Sequence, residues 1–120
     1  MLRIRREQLD VLALTRREAF IDRLVVQLRK HWASECAGLE DALLRERIGA
    51  AIDRAAKYEL RAGVEVARYV NVTMALGPGF DEDPRYPWAR AILEEEAFTP
   101  EKKLERLCTL TEAALTKKEA

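Results

Sequence analysis

The side chains of this 120-residue chain that come nearest to chemistry are three consecutive acids, Asp81, Glu82 and Asp83, a single histidine, His31, and two cysteines, Cys36 and Cys108. Adjacent carboxylates could gather a divalent cation, but the alternation of ligands that a calcium-binding loop needs is absent. Ahead of Pro84 they read as turn formers, an Asp side chain accepting backbone hydrogen bonds. One of the three acids could also pair with Arg85 or Arg90, or cap the short helix that follows. His31, between Lys30 and Trp32 at a helix end, reads as solvated or capping, and the sequence nominates no nucleophile for it. One histidine leaves no histidine cluster for a metal, and no triad could be built without it. The wide separation of Cys36 and Cys108 fits no zinc pattern and no CxxC redox pair, so both read as small core residues. The lack of secretory context weighs against a disulfide. Gly77 and Gly79 flank Pro78 without the spacing, Lys or Ser/Thr of a phosphate loop. No catalytic residue, metal or cofactor is therefore expected.

Basic residues cluster at Arg3, Arg5 and Arg6, at Arg16 and Arg17, and at Arg29 and Lys30, which would suit contact with phosphates. Acids intervene at Glu7, Asp10, Glu18 and Asp22 at helical ion-pair spacings, so a solvated face is the expected reading. Over the whole chain 21 basic residues cancel 21 acidic ones, leaving no net field to recruit nucleic acid or an anionic membrane. The N-terminal MLRIRREQLDVLAL is broken by Gln8 and Asp10 and does not read as a signal peptide. No apolar run approaches the ~20 residues that span a bilayer, and a cytoplasmic location is expected.

The elements that position these residues are helices. Hydrophobic residues make up 48% of the chain and aromatics 7%, with abundant Ala and Leu and few β-branched runs, which favours helix over sheet. From Ile4 to Trp32 there is no Gly or Pro, and Leu9, Leu12, Ala13, Phe20, Leu24, Leu28 and Trp32 form a helical stripe. Such a helix would be roughly 40 Å long, and a kink is expected near Thr15 to Glu18, where polar residues interrupt the stripe. Residues 34–38 read as a connection, with Gly38 as a left-handed cap. A second helix spans Leu39 to Tyr58 on Leu44, Ile48, Ile52 and Ala55, and the pattern breaks over Lys57 to Ala62. A third, Gly63 to Leu76, presents Val66, Tyr69, Val70, Thr73 and Met74. A short fourth helix, Trp88 to Glu96, turns Trp88, Ala91 and Ile92 inward, with Pro87 at its first turn. Thr99-Pro100-Glu101 starts the last helix, which carries Leu104, Leu107, Cys108, Thr111, Ala114 and Leu115, with fraying at its end. The expected fold is all-α, a single-domain bundle of about five helices over residues 1–120.

Between the third and fourth helices, LGPGFDEDPRYPW (Leu76 to Trp88) cannot continue a helix, yet Phe80, Tyr86 and Trp88 are too apolar for an idle linker. The loop should be ordered and fold back onto the body. Trp32, Phe80, Tyr86, Trp88 and Phe98 are large aromatics outside helix interiors. Phe80 and Trp88 either staple the loop to the helices or stand exposed beside Arg85 and Arg90 as interface anchors, where Trp, Tyr and Arg are enriched. On the second reading the interface residues are Phe80, Asp81, Asp83, Arg85, Tyr86 and Trp88.

The run RYVNVTMALGPGFDEDPRYPWARAIL, Arg68 to Leu93, resembles small helical proteins encoded in type VI secretion effector clusters of Gram-negative bacteria. IRREQLDVL, FIDRLVVQLRKHW and IDRAAKYEL fit the same pattern, and the specificity lies in the FDxDPxxPWAxxIL element, Phe80 to Leu93. Where that pattern commonly closes a helix with Tyr, Gly and an aliphatic residue, this chain has Tyr58, Glu59 and Leu60. The resemblance implies a co-chaperone or adaptor that, with a larger adaptor-chaperone, helps load an effector, and it carries over no catalytic residue. The protein partner would be the effector, the adaptor-chaperone or both. The alternatives are an immunity protein offering Asp81 to Asp83 to an effector, or a regulatory helical domain binding nucleic acid through the first helix.

Overall fold

The computed structural model describes residues 6–119, with side chains described from 16 to 117. It is all-α: α1 (Arg6–His31), α2 (Ala33–Cys36), α3 (Asp41–Lys57), α4 (Gly63–Leu76), a 3-10 turn (Phe80–Glu82), α5 (Pro87–Glu94) and α6 (Pro100–Glu119). The sixth helix beyond the expected five is α2, a single turn that overlaps the expected connection at 34–38. The proposed start at Ile4, Arg3 and Arg5, the side chains of Arg6, Leu9, Leu12 and Ala13, and the fraying at Ala120 lie outside the described residues. The chain divides into two compact units, Met1–Arg45 and Glu46–Ala120, the boundary falling inside α3. Among the described residues no helix is long and apolar enough to cross a membrane.

In the first unit α1 runs through Thr15 to Glu18 as continuous helix. Ile21, Leu24, Leu28, Cys36 and Leu44 are buried; of the expected stripe Leu24 and Leu28 face inward, while Phe20 and Trp32 are half-buried and Ile21 takes the inward place one turn before Leu24. Arg29 organises the turn into α3. Its Nε and Nη2 donate to Asp41 Oδ1, and its Nη1 and Nη2 donate to the carbonyls of Cys36 and Leu39 at 3.2 and 2.9 Å. The fork thereby joins two carbonyls of the turn to the first residue of α3, the Cys36 carbonyl also accepting from the Leu39 N–H at 3.0 Å. Gly38 does not take the left-handed conformation, since among the described glycines only Gly77 has positive φ. With Arg29 holding the carbonyls, no left-handed cap is required there. Cys36 and Cys108 are free thiols, the first buried and the second half-buried.

In the second unit α4 packs on α6, and α5 packs on both α6 and the 3-10 turn. Val66, Tyr69, Val70, Val72 and Leu76 of α4 are buried, as are Leu104 and Leu107 of α6. Glu65 accepts from the Ala62 N–H at 3.1 Å and Thr99 Oγ1 accepts from the Lys102 N–H at 3.2 Å, so both helix starts have a side-chain acceptor. Pro87 occupies the first turn of α5. The buried face of α5 is Ala89, Ile92 and Leu93, whereas Ala91 is exposed and Trp88 half-buried. This corrects the expected inward set. Helices on two sides of α5, the 3-10 turn and α6, draw in the 89/93 edge and leave the 88/91 edge open.

Candidate functional site

The C-terminal end of α3 sets the geometry of everything around the loop. Glu59 has φ of 65°, the left-handed region that disfavours side chains. Its N–H donates to the Ala56 carbonyl and the Leu60 N–H to the Ala55 carbonyl, each at 3.0 Å. This is the paired hydrogen bonding of a Schellman close, with Glu where glycine is usual. Leu60, fully buried, plugs the end of the helix.

The close delivers Tyr58 and Arg54, one turn apart, to the loop. Asp81 lies almost wholly inside, and both its oxygens accept from Arg54 Nε, at 2.7 and 2.8 Å, while Oδ2 also accepts from the Tyr58 hydroxyl at 2.5 Å. Burial and the adjacent Asp81 carboxylate both push the Tyr58 hydroxyl up from the ordinary tyrosine range. Arg54 reaches Glu82 as well, at 3.0 Å. Beneath this pair, Phe80 is fully buried and its ring centroid lies 5.2 Å from that of Tyr69. The hydroxyls of Tyr69 and Tyr86 are buried with no hydrogen-bond partner among the described residues. Further along, Asp83 accepts from the backbone N–H of Arg85 at 2.9 Å and from its guanidinium at 2.8 Å, the turn-forming role read from the sequence.

Of the six loop residues considered for an interface, Phe80, Asp81 and Tyr86 are buried. Asp83 and Trp88 are half-buried and Arg85 is exposed. The loop is stapled through its aromatics and Asp81, so the surface left for contact is Arg85, lying over the Tyr86 ring at 5.3 Å, and Trp88, whose ring is 5.8 Å from that of Tyr86. The 27-residue separation of Arg54 and Asp81 carries no sequence signal. Arg29, one of the arginines grouped as a phosphate-contacting side, is occupied by Asp41 and two carbonyls, and Arg45 by Glu18 and Asp22 at 2.5 Å each. His31 is exposed.

Two concavities open on the second unit. The first, of ≈ 870 Å³, lies among the end of α3, the 3-10 turn, α5 and the start of α6, and its lining is dominated by charge, including Arg54, Asp81, Arg90, Glu94 and Lys103. The second is a groove of ≈ 600 Å³ between α5 and α6, floored by Trp88, Ala91, Ile92, Phe98 and Leu110 and edged by Glu95, Lys102, Glu105 and Arg106. Leu110 is exposed, and the Arg106 guanidinium lies 5.1 Å over the Phe98 ring. Among the described residues no group of three or more His, Cys, Asp and Glu side chains is placed to hold a metal ion. No protein family, curated protein or solved structure matches the chain.

Proposed function

We propose that this chain is a non-enzymatic protein-binding accessory factor and that the groove between α5 and α6 is its docking face. The observation that carries the reading is an apolar strip of Trp88, Ala91 and Leu110 over the buried Ile92, on ordered helices and bordered by charges of both signs. Such a strip has the form that receives the apolar face of an amphipathic helix, with an aromatic and an arginine-stacked ring as anchors. The resemblance of Phe80 to Leu93 to accessory proteins of type VI secretion effector clusters supports an adaptor or co-chaperone role, the partner being an effector or a larger adaptor-chaperone. The immunity reading draws less support, because Asp81 is held inside by Arg54 and Tyr58 and is not offered to a partner.

Co-expression with the products of the flanking genes tests the proposal. One of them should copurify with the wild-type chain, and Leu110→Asp should abolish copurification while leaving the helical circular dichroism unchanged. Failure of every neighbouring product to copurify, or retention by Leu110→Asp, would overturn it.

A further inference from the structure

We infer that Asp81, clamped by Arg54 and Tyr58, is a positioning residue for the docking groove, so that a buried ion pair on one side of α5 sets the place of Trp88 on the other. The inference rests on the groove being a docking face. Asp81 accepts from Arg54 Nε at 2.7 and 2.8 Å and from the Tyr58 hydroxyl at 2.5 Å, and thereby ties the 3-10 turn to the C-terminal end of α3. From that turn the backbone runs into α5 through successive hydrogen bonds. The Phe80 carbonyl accepts from the Asp83 N–H at 3.3 Å, the Asp83 carbonyl from the Tyr86 N–H at 3.0 Å, and the Tyr86 carbonyl from the Ala89 N–H at 3.0 Å. Pro84 and Pro87 fix φ at two positions between them, and the Asp83 carboxylate takes the Arg85 N–H at 2.9 Å. The segment from Asp81 to Trp88 therefore holds no slack joint to absorb a movement of the turn. Buried Tyr86 passes the constraint to Trp88, the two rings standing edge to face with centroids 5.8 Å apart.

The shortness of α5 makes the groove sensitive to this constraint. With eight residues it falls below the ~12–15 at which an isolated helix becomes even marginal, so its place comes from what it packs on, the 3-10 turn and α6. One wall of the groove is α6 and the other is α5, carrying Trp88, Ala91 and Ile92. The width between them follows the turn. Phe80 also anchors that turn, but apolar burial is non-directional and leaves its orientation to the clamp. The Asp81 carboxylate is almost wholly buried; without Arg54 it keeps only the Tyr58 hydroxyl, is drawn toward water and takes the turn with it.

The test uses the full chain carrying Trp32→Phe, in which Trp88 is the remaining tryptophan, and its first readout needs no partner. Arg54→Met should shift the Trp88 emission to the red and raise its quenching by acrylamide while the helical circular dichroism is kept. Asp81→Asn should act in the same direction but less, and the double variant, with no stranded charge, should shift less than Arg54→Met alone. Val66→Ala opens a cavity at the end of α4 away from the loop; it destabilises without touching the clamp and should leave Trp88 unmoved. With the partner that copurifies with the wild-type chain, Arg54→Met should weaken binding about three- to tenfold. Unmoved Trp88 emission and quenching in the folded clamp variants, an equal shift in Val66→Ala, or unaltered partner affinity would each overturn the inference. Asp81→Asn carries the comparison if Arg54→Met fails to fold. Should no partner copurify with the wild type, the docking reading falls by itself, and the Trp88 comparison still decides whether the clamp sets the groove.

Discussion

Arg54 Nε lies 2.7 and 2.8 Å from the two carboxylate oxygens of Asp81, whose side chain is 1% exposed while that of Arg54 is 29% exposed. The two ends of this ion pair therefore differ in what happens when one is removed. Without Asp81 the guanidinium keeps Glu82 and water. Without Arg54 the carboxylate stays inside with only the Tyr58 hydroxyl. Arg54→Met should thus cost about 3 kcal/mol and Asp81→Asn about 1–2 kcal/mol. Urea unfolding of both single variants and the double variant would show the asymmetry, and the double should cost less than the sum.

Alkaline pH should loosen the same region. Burial first, then the hydrogen bond to Asp81 for Tyr58 and the Asp81 charge for Tyr69, raise the two hydroxyls above the ordinary tyrosine value of 10.0. In that situation the folded state holds its phenolic protons more tightly than the unfolded chain. The resulting stabilisation is fully present below pH 10 and is lost as pH rises from there toward the folded-state values. Tyr69, almost wholly buried, should contribute a slope of up to about 1.4 kcal/mol per pH unit, and the half-exposed Tyr58 less. Tyr69→Phe should flatten the decline. By removing a buried hydroxyl without a partner it should also leave stability at pH 7 equal or slightly higher. Denaturant curves at pH 8, 10 and 11, with absorbance at 295 nm, measure both effects.

Glu59→Gly should stabilise the protein by ~1 kcal/mol, because the left-handed conformation at φ 65° costs a side chain but not glycine. The gain is net of the greater freedom glycine has when unfolded. Glu59→Val should be destabilising, since β-branching worsens the same strain. A rise in the thermal midpoint for Gly and a fall for Val confirm that Leu60 is delivered to the core through this conformation.

Gly77 and Gly79 separate conformational strain from crowding. A Cβ on either would meet nothing within 4 Å, but Gly77 has φ of 106° and Gly79 of −106°. Gly77→Ala should therefore cost ~1 kcal/mol or more, and Gly79→Ala should be neutral or slightly stabilising. Equal effects in thermal unfolding would mean that the backbone at Gly77 is not what ends α4.

The helices were legible because their signals are local. The stripe Val66, Tyr69, Val70 and Thr73 and the stop at Gly77-Pro78 place α4 at its observed bounds, and Pro87 and Thr99-Pro100 start the last two helices as read. Residues whose environment comes from distant segments were not legible. Ala91 and Ala89 are alike in sequence, and only the packing of α5 on both the 3-10 turn and α6 decides which is buried. Asp81 reads as one of three turn acids until Arg54 of α3 and Tyr58 just after that helix take it inside. The groove was half visible: Trp88 reads either as a staple or as an interface anchor, and its neighbours in the groove, Phe98 and Leu110, come from the turn before α6 and from the middle of that helix.

Trp88 gives the docking proposal an optical readout that does not depend on copurification. The chain has two tryptophans, Trp32 and Trp88, so Trp32→Phe leaves Trp88 as the sole reporter, half-exposed in the groove. Burial of its ring under a partner helix removes water from the indole and should shift the emission maximum to the blue. In the same background Leu110→Asp places a charge in the apolar strip that a partner would have to desolvate, which should weaken binding by at least about 2 kcal/mol, some thirtyfold. Since Leu110 is exposed, the substitution should change the unfolding free energy by no more than about 0.5 kcal/mol. A partner that binds without moving the Trp88 emission, or that binds Leu110→Asp equally well, occupies some other face.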